Sequence, residues 1–245
     1  MLSTDTFLSQ LYKAAKPGDF ASLRFVVAGA ERLKSRTREL YESLGVTMLE
    51  GYGATEAGPV IAVNVPGATR HGTVGRILPH IEYRIEPHEG IEDGGVLHVR
   101  GPNLMKSYLH DLAENRSSLV EGWYDTGDIV TVDSDGFLVI KGRKKRFAKI
   151  AGEMISLGFI EDEVARLSPD YHHAVITIES EDQAKPLIRL YTSDPALGMP
   201  AIREHFVAER VPNTWLPREV IHMPELPVLR TGKVDYQTLQ RMVGA

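Results

Sequence analysis

Cysteine does not occur in the 245 residues. Its absence removes disulfides, thiolate nucleophiles and Cys-ligated zinc, and it fits a reducing compartment. Long apolar runs are missing as well. None approaches the roughly 18 residues that a membrane helix needs, and no charged segment leads into an apolar one at the N-terminus, so neither a span nor a secretion signal is expected. Internal repeats and low-complexity segments are absent. Positive charge is in deficit, with a formal net charge of -5, which argues against general nucleic-acid binding. That total conceals a basic run at Arg143, Lys144, Lys145, Arg146 and Lys149. Two phosphate signatures are also lacking. There is no GxxxxGK[ST], and Gly51 and Gly53 are not completed into GxGxxG because position 56 is Glu.

What remains is a globular chain long enough for one large domain or two modest ones. Residues 1 to 22 read as a helix and its exit, followed by a strand at 23 to 28, a helix from about 33 to 44, and a strand at 46 to 49. Strand, helix and strand suggest a βαβ unit in a parallel sheet, whose loops after the strands would carry ligand contacts. Those loops are Gly29-Ala30-Glu31 and Gly51-Tyr52-Gly53-Ala54-Thr55-Glu56. Glycine lets backbone approach a ligand closely, Tyr52 offers a flat face to a base, and Thr55 with Glu56 suits a phosphate and its magnesium. The chain then reads as loop-rich from 62 to 79. Short strands follow at 82 to 86, 96 to 100, 128 to 132 and 137 to 141, with Asp133-Ser134-Asp135-Gly136 as a hairpin turn.

The stretch from Tyr124 to Gly152 carries the most chemistry. Asp128 is placed in a tight turn after Thr126-Gly127, where it can accept two hydrogen bonds from a vicinal diol, and Arg143 follows one hairpin later. Beyond Gly152 helices and strands alternate. Ser156 caps a helix with Leu157, Ile160, Val164 and Leu167 on one face. Strands are expected at 173 to 178, 187 to 191 and 219 to 222. A helix from Pro200 turns Ile202, Phe206 and Val207 inward, and a last helix starts near Asp235. The fold class is therefore α/β plus α+β: a partial large domain, a βαβ unit with a small antiparallel sheet or distorted barrel, over 1–144, and a compact α+β domain over 145–245.

These residues resemble the adenylate-forming superfamily, which includes acyl-CoA synthetases, firefly luciferase and the adenylation domains of peptide synthetases. GYGATE, GGVLHVRGP through Tyr108, WYDTGD, GRKKRFAKIAGEMIS and PVLRTGK are similar to five of its core motifs, in order. VVAGAERL, EGYGATEAGPVIAVNVP and KRFAKIAGEMISL further resemble the synthetase part of bacterial bifunctional acyl-acyl-carrier-protein synthetases and 2-acylglycerophosphoethanolamine acyltransferases. The resemblance implies ATP or AMP and Mg2+ as cofactors. It gives Tyr52 stacking on adenine, Thr55 a phosphate, Glu56 the magnesium, and Gly29, Ala30, Glu31 and Gly53 the adenine pocket. Asp128 would hold the ribose with help from Arg143, Lys145 would be a hinge, Gly152 would line the pantetheine path, and Lys233 would stabilise the adenylation transition state. A cation is what that step requires, because pyrophosphate displacement concentrates negative charge at the α-phosphate.

The partners implied are a fatty acid, an acyl carrier protein or CoA, and a lysophospholipid taken by an acyltransferase domain missing from this chain; no nucleic acid is expected. Lys144, Arg146 and Lys149 are further expected to dock the acidic carrier by charge complementarity. The resemblance also implies work on the cytoplasmic side of the bacterial inner membrane, in phosphatidylethanolamine repair. The superfamily's phosphate loop lies before GYGATE and is not in this chain, so the chain alone is expected to be inactive. Two alternatives stand beside the carrier-protein ligase: an acyl-CoA ligase, and a non-catalytic nucleotide- or carrier-binding module. The pair His88 and Asp93 has the H-x4-D spacing of glycerolipid acyltransferases, but it lies in a turn and is set aside as chance.

Overall fold

Short β-branched runs and amphipathic segments alternate from Met1 to Gly53, and the computed structural model turns them into parallel strands with helical crossovers. It describes residues 1–109, 119–150, 152–180, 183–229 and 233–244. The chain divides into two units, Met1–His88 with Glu92–Lys141, and Gly142–Ala245 with Glu89–Ile91.

In the first unit β1 (Leu2–Ser3), α1 (Asp5–Ala14), β2 (Phe25–Ala28), α2 (Ser35–Glu42) and β3 (Thr47–Gly53) form two successive βαβ crossovers. β1, β2 and β3 pair in parallel. The sequence suggested one crossover, because the two residues of β1 are too short to show a period. β4 (Val60–Val63) and β5 (Arg76–Ile77) continue the sheet antiparallel, in a stretch that read as loop from 62 onward. Leu8, Val26, Ala28, Tyr41, Val46 and Met48 fill its core, and the Tyr41 hydroxyl donates to the Leu8 carbonyl at 3.0 Å.

A second sheet holds β6 (Glu82–Glu86), β7 (Gly95–Arg100), β8 (Leu119–Val120), β9 (Trp123–Val132) and β10 (Leu138–Arg143), in the order β10-β9-β7-β6 with β8 on β9. The β9–β10 turn is built by Asp133, whose carboxylate accepts the N–H groups of Asp135 and Phe137 at 2.9 Å each. This is the Asx chemistry that marks such turns in sequence.

The second unit opens with a hairpin, β11 (Phe147–Ile150) and β12 (Glu153–Ser156), followed by α3 (Leu157–Leu167), β13 (His173–Ser180), β14 (Gln183–Thr192), α4 (Met199–Ala208), β15 (Glu219–His222) and α5 (Tyr236–Val243). Ser156 accepts the Phe159 N–H at 3.2 Å as the cap of α3. Alternation along β13 and β14 separates two cores. Val175, Ile188 and Leu190 pack with Ile160, Val164, Ile202 and Phe206 of α3 and α4. Ala174, Ile176 and Tyr191 pack with Leu239 of α5. Two helix faces differ from expectation: Leu167 is 37% and Val207 72% exposed. Leu167 is the last residue of its helix, and Val207, next to the buried Phe206, points about 100° away from the face that Ile202 and Phe206 share. Among the described residues no helix is long and apolar enough to cross a membrane.

The difference in burial sets the cost of truncation. Ile160→Ala should destabilise by about 2–5 kcal/mol, whereas Val207→Ala should stay within about 0.5 kcal/mol. Urea unfolding followed by far-UV circular dichroism checks both.

Candidate nucleotide-binding site

The carboxyl ends of neighbouring parallel strands leave a crevice where open α/β sheets take ligands. Here β2 delivers Gly29-Ala30-Glu31 and β3 delivers Tyr52 and Gly53. Gly53 is required by close approach, since a Cβ there would run into the Pro59 carbonyl. Tyr52 is 9% exposed and packs with Ala57, Ile61, Leu97 and Tyr124. Its hydroxyl donates to Asp128 Oδ2 at 2.5 Å. The structure thus joins two residues that lie 76 positions apart in sequence.

Asp128 is not in a free turn but inside the ten-residue strand β9. The turn chemistry read from the sequence operates as a bulge in that strand. Val96 pairs with Ile129 and His98 with Asp125, so Thr126, Gly127 and Asp128 stand opposite the single residue Leu97. Gly127 takes φ +68°, a conformation costly for other residues. Asp125 Oδ1 accepts the Gly127 N–H at 2.7 Å, and Thr126 Oγ1 accepts the Asp128 N–H at 3.1 Å while donating to the Leu97 carbonyl at 2.8 Å. The extra residues re-aim Asp128, whose carboxylate ends 4% exposed against Tyr52.

Thr55 and Glu56 lie on a 3-10 turn, Thr55–Ala57, directly after β3. Thr55 is exposed and Glu56 half-buried. The Tyr108 hydroxyl donates to Glu56 Oε1 at 2.5 Å. Burial and that bond to Glu56 push the Tyr108 pKa up. Among the described residues no group of three or more His, Asp or Glu converges, so Glu56 would meet a cation as one carboxylate. That donor set fits magnesium, which is usually held by one or two carboxylates together with substrate phosphates. Tyr108 closes the motif read in sequence, yet its bond to Glu56 was not legible there, because it spans 52 residues.

The loop after β2 is tied to α1. Ala30 has φ +64°, uncommon for a residue with a Cβ. Glu31 Oε2 accepts the Thr6 N–H at 3.0 Å and the Thr6 hydroxyl at 2.8 Å. One oxygen of its carboxylate therefore serves the first turn of α1. Asp5 Oδ1 accepts the Lys34 N–H at 3.0 Å in return. Asp93 pairs with Lys141 at 3.5 Å, so the His88 and Asp93 spacing builds no pair.

The remaining candidates belong to the second unit. Arg143 ends β10, and Lys144–Arg146 form a 3-10 turn, with Arg143 and Lys145 exposed. Lys149 Nζ meets Glu89 at 2.5 Å, an exposed pair worth little in water. Arg146 departs from its expected docking role. Its guanidinium bonds Glu161 at 2.6 Å and the Val175 carbonyl at 2.9 Å, and lies 3.9 Å over the Tyr236 ring. Gly152 lies in the β11–β12 turn with φ +88°, and Ala151 beside it lies outside the described residues. Lys233 is exposed and its carbonyl accepts the Leu229 N–H at 2.7 Å. Arg230, Thr231 and Gly232 of the PVLRTGK motif lie outside the described residues.

Comparison with known proteins gives the chain's similarities in sequence and fold. Residues 1–109 match the AMP-binding enzyme family. It is 30% identical over 234 residues to an indoleacetate–CoA ligase of Aromatoleum aromaticum, a match covering 92% of this chain and 46% of that one. It is 32% identical over 224 residues to a long-chain-fatty-acid–CoA ligase of Yersinia pestis, covering 88% of this chain and 40% of that one. Its fold matches the anthranilate CoA ligase AuaEII, solved with anthranoyl-AMP, at a TM-score of 0.80 and 25% identity, over 98% of this chain and 49% of that one. The chain thus spans about half the length of the relatives it matches. These relatives are named for CoA, where the sequence resemblance pointed first to acyl carrier protein.

Removing the donor on Glu56 without changing the ring gives a direct check. Tyr108→Phe should cost about 1.5–3 kcal/mol, as expected for a hydrogen bond to a charged group. The urea midpoint of the variant against the unaltered chain measures it.

Proposed function

We propose that this chain forms the nucleotide-binding and carboxy-terminal portion of an ATP-dependent acid–thiol ligase. In that reaction a carboxylate oxygen attacks the α-phosphorus of ATP and the bond to the β-phosphate oxygen breaks, releasing pyrophosphate. A thiol sulfur then attacks the acyl carbonyl, the thiol proton is lost, and AMP leaves. The observation that supports this most is the Tyr52 and Asp128 pair at the carboxyl end of β3. It joins an aromatic face suited to a purine with an acid suited to a ribose diol. Gly29, Ala30 and Gly53 would line the adenine side, Thr55 would meet a phosphate, and Arg143 would assist at the ribose. Magnesium on Glu56 would neutralise phosphate charge. Lys233 would answer the charge that builds at the α-phosphate, with Lys145 as pivot and Gly152 along the thiol path.

Coenzyme A is the acceptor this reading takes first, because the curated relatives named above are CoA ligases. Transfer to acyl carrier protein is the second reading, favoured by the exposed Lys145 and Lys149. Reacylation of a lysophospholipid at the cytoplasmic face of an inner membrane belongs to that second reading alone.

The test has two arms. AMP titrated into the chain should bind, and Asp128→Asn should weaken it at least tenfold. In the longest polypeptide that carries this sequence, acid-dependent ATP–pyrophosphate exchange should occur, and Lys233→Ala should slow it by about 10²–10³-fold. Fatty acids, indoleacetate and anthranilate are each offered, with CoA and acyl carrier protein as acceptors. Silence with every acid, together with tight carrier-protein binding, would favour the non-catalytic module instead.

A further inference from the structure

β13 is the edge of its sheet, in the order β13-β14-β15. An edge strand leaves alternate backbone groups without a ladder partner. At Val175 both are satisfied by one ion pair: Glu161 Oε1 accepts the N–H at 2.6 Å, and Arg146 donates to the carbonyl at 2.9 Å. Arg146 and Glu161 join at 2.6 Å, with side chains 19% and 16% exposed. Burial raises the Glu161 pKa, and Arg146, the Val175 N–H and the Tyr236 hydroxyl each oppose that rise.

Tyr236 completes the cluster. Its hydroxyl lies 2.9 and 2.8 Å from the two Glu161 oxygens, and its ring lies 3.9 Å beneath the Arg146 guanidinium. A guanidinium so placed is held by cation–π attraction as well as by its ion pair. The two ends of this cluster have defined places in the chain. Arg146 directly follows Lys145 in the 3-10 turn. Tyr236 is the first residue of α5, three after Lys233. The segment between is short and tied down: Val228 bridges Val234, the Leu229 N–H meets the Lys233 carbonyl at 2.7 Å, and the Asp235 N–H meets the Pro227 carbonyl at 2.8 Å.

We infer that Tyr236 and Arg146 are positioning residues for Lys233: through Glu161 they tie the turn that contains Lys145 to the base of the segment that presents the lysine. This rests on the ligase reading for the role of Lys233. The Arg146 end turns a basic residue inward beside the exposed Arg143 and Lys145. At the other end Asp235 caps α5, its Oδ1 accepting the Thr238 N–H at 3.0 Å, and Tyr236 ties that first turn to Glu161. Without the ring and hydroxyl, α5 keeps its Leu239 anchor but loses the contact nearest Lys233.

The experiment uses the longest polypeptide that carries this sequence, unaltered and with Tyr236→Phe, Tyr236→Leu or Arg146→Met. Two half-reactions are timed separately, pyrophosphate exchange and thioester formation from added acyl-adenylate. In Tyr236→Leu, kcat for exchange should fall at least tenfold with KM for ATP changed less than twofold, and thioester formation should change less than twofold. Tyr236→Phe keeps the stacked ring and should lie between. Acetylation of Lys233 by acetic anhydride, referenced to Lys106 by mass spectrometry, should rise at least threefold in Tyr236→Leu and Arg146→Met. That labelling reads the inference independently of activity. If the unaltered protein exchanges with no acid, the ligase reading falls, and unchanged labelling would then separately remove the positioning role. If both half-reactions fall in parallel with the urea midpoint, the cluster serves folding alone and the inference is overturned.

Discussion

Asp128 and Glu161 are carboxylates taken largely out of water, and desolvating such a group costs several kcal/mol unless donors replace the water. Much of the local architecture supplies those donors. Asp128 requires a hydroxyl at the end of β3, so the β9 bulge and the close packing at Gly53 together set where Tyr52 meets it. Glu161 requires three donors, and they come from the turn before β11, from an edge strand and from the first residue of α5. Each acid is met by residues remote in sequence, and each therefore fixes elements that have no covalent reason to be neighbours.

The same constraint separates candidates by role. A carboxylate oxygen that accepts both the backbone N–H and the hydroxyl of a helix's first turn is structural first, and Glu31 Oε2 is of this kind. Glu56 is held on one oxygen by Tyr108. That arrangement orients a carboxylate without burying it, which suits an acid that meets a cation carried in by phosphate. Asp128 is buried yet faces a hydroxyl, which both donates and accepts. The Tyr52 hydroxyl can turn its donation elsewhere when another donor reaches the acid, at no cost in backbone geometry.

Local signals in the sequence were legible where short-range physics decides. The Ser156 cap and the Asp133 turn are formed by residues within a few positions of one another. The TGD segment was read as a turn because glycine and Asx chemistry look alike in a turn and in a bulge; the partner strand decides, and β7 is not visible from β9. Leu167 fits the helical period but ends its helix, and Val207 is apolar yet lies off the face that Ile202 and Phe206 share. Tyr52 and Asp128 were each legible as candidates. Their mutual hydrogen bond, the Tyr108 bond to Glu56 and the Arg146 cluster were not, since nothing local encodes contacts across 14 to 90 residues.

The basic run shows why charge read along a chain misleads. Residues 144–146 adopt a 3-10 turn, in which consecutive side chains diverge by about 120°. Three adjacent cations therefore cannot share one face. Arg146 turns inward, where a planar guanidinium can serve an ion pair, a carbonyl and an aromatic ring at once, as an ammonium could not. Lys145 turns outward. Any partner drawn to this joint by charge meets the exposed Arg143, Lys145 and Lys149 before Arg146, so removing Arg146 would test the fold of the second unit before it tested docking. A run of like charge is thus two features: one structural and specific to arginine, the other open to solvent and tolerant of exchange between basic residues.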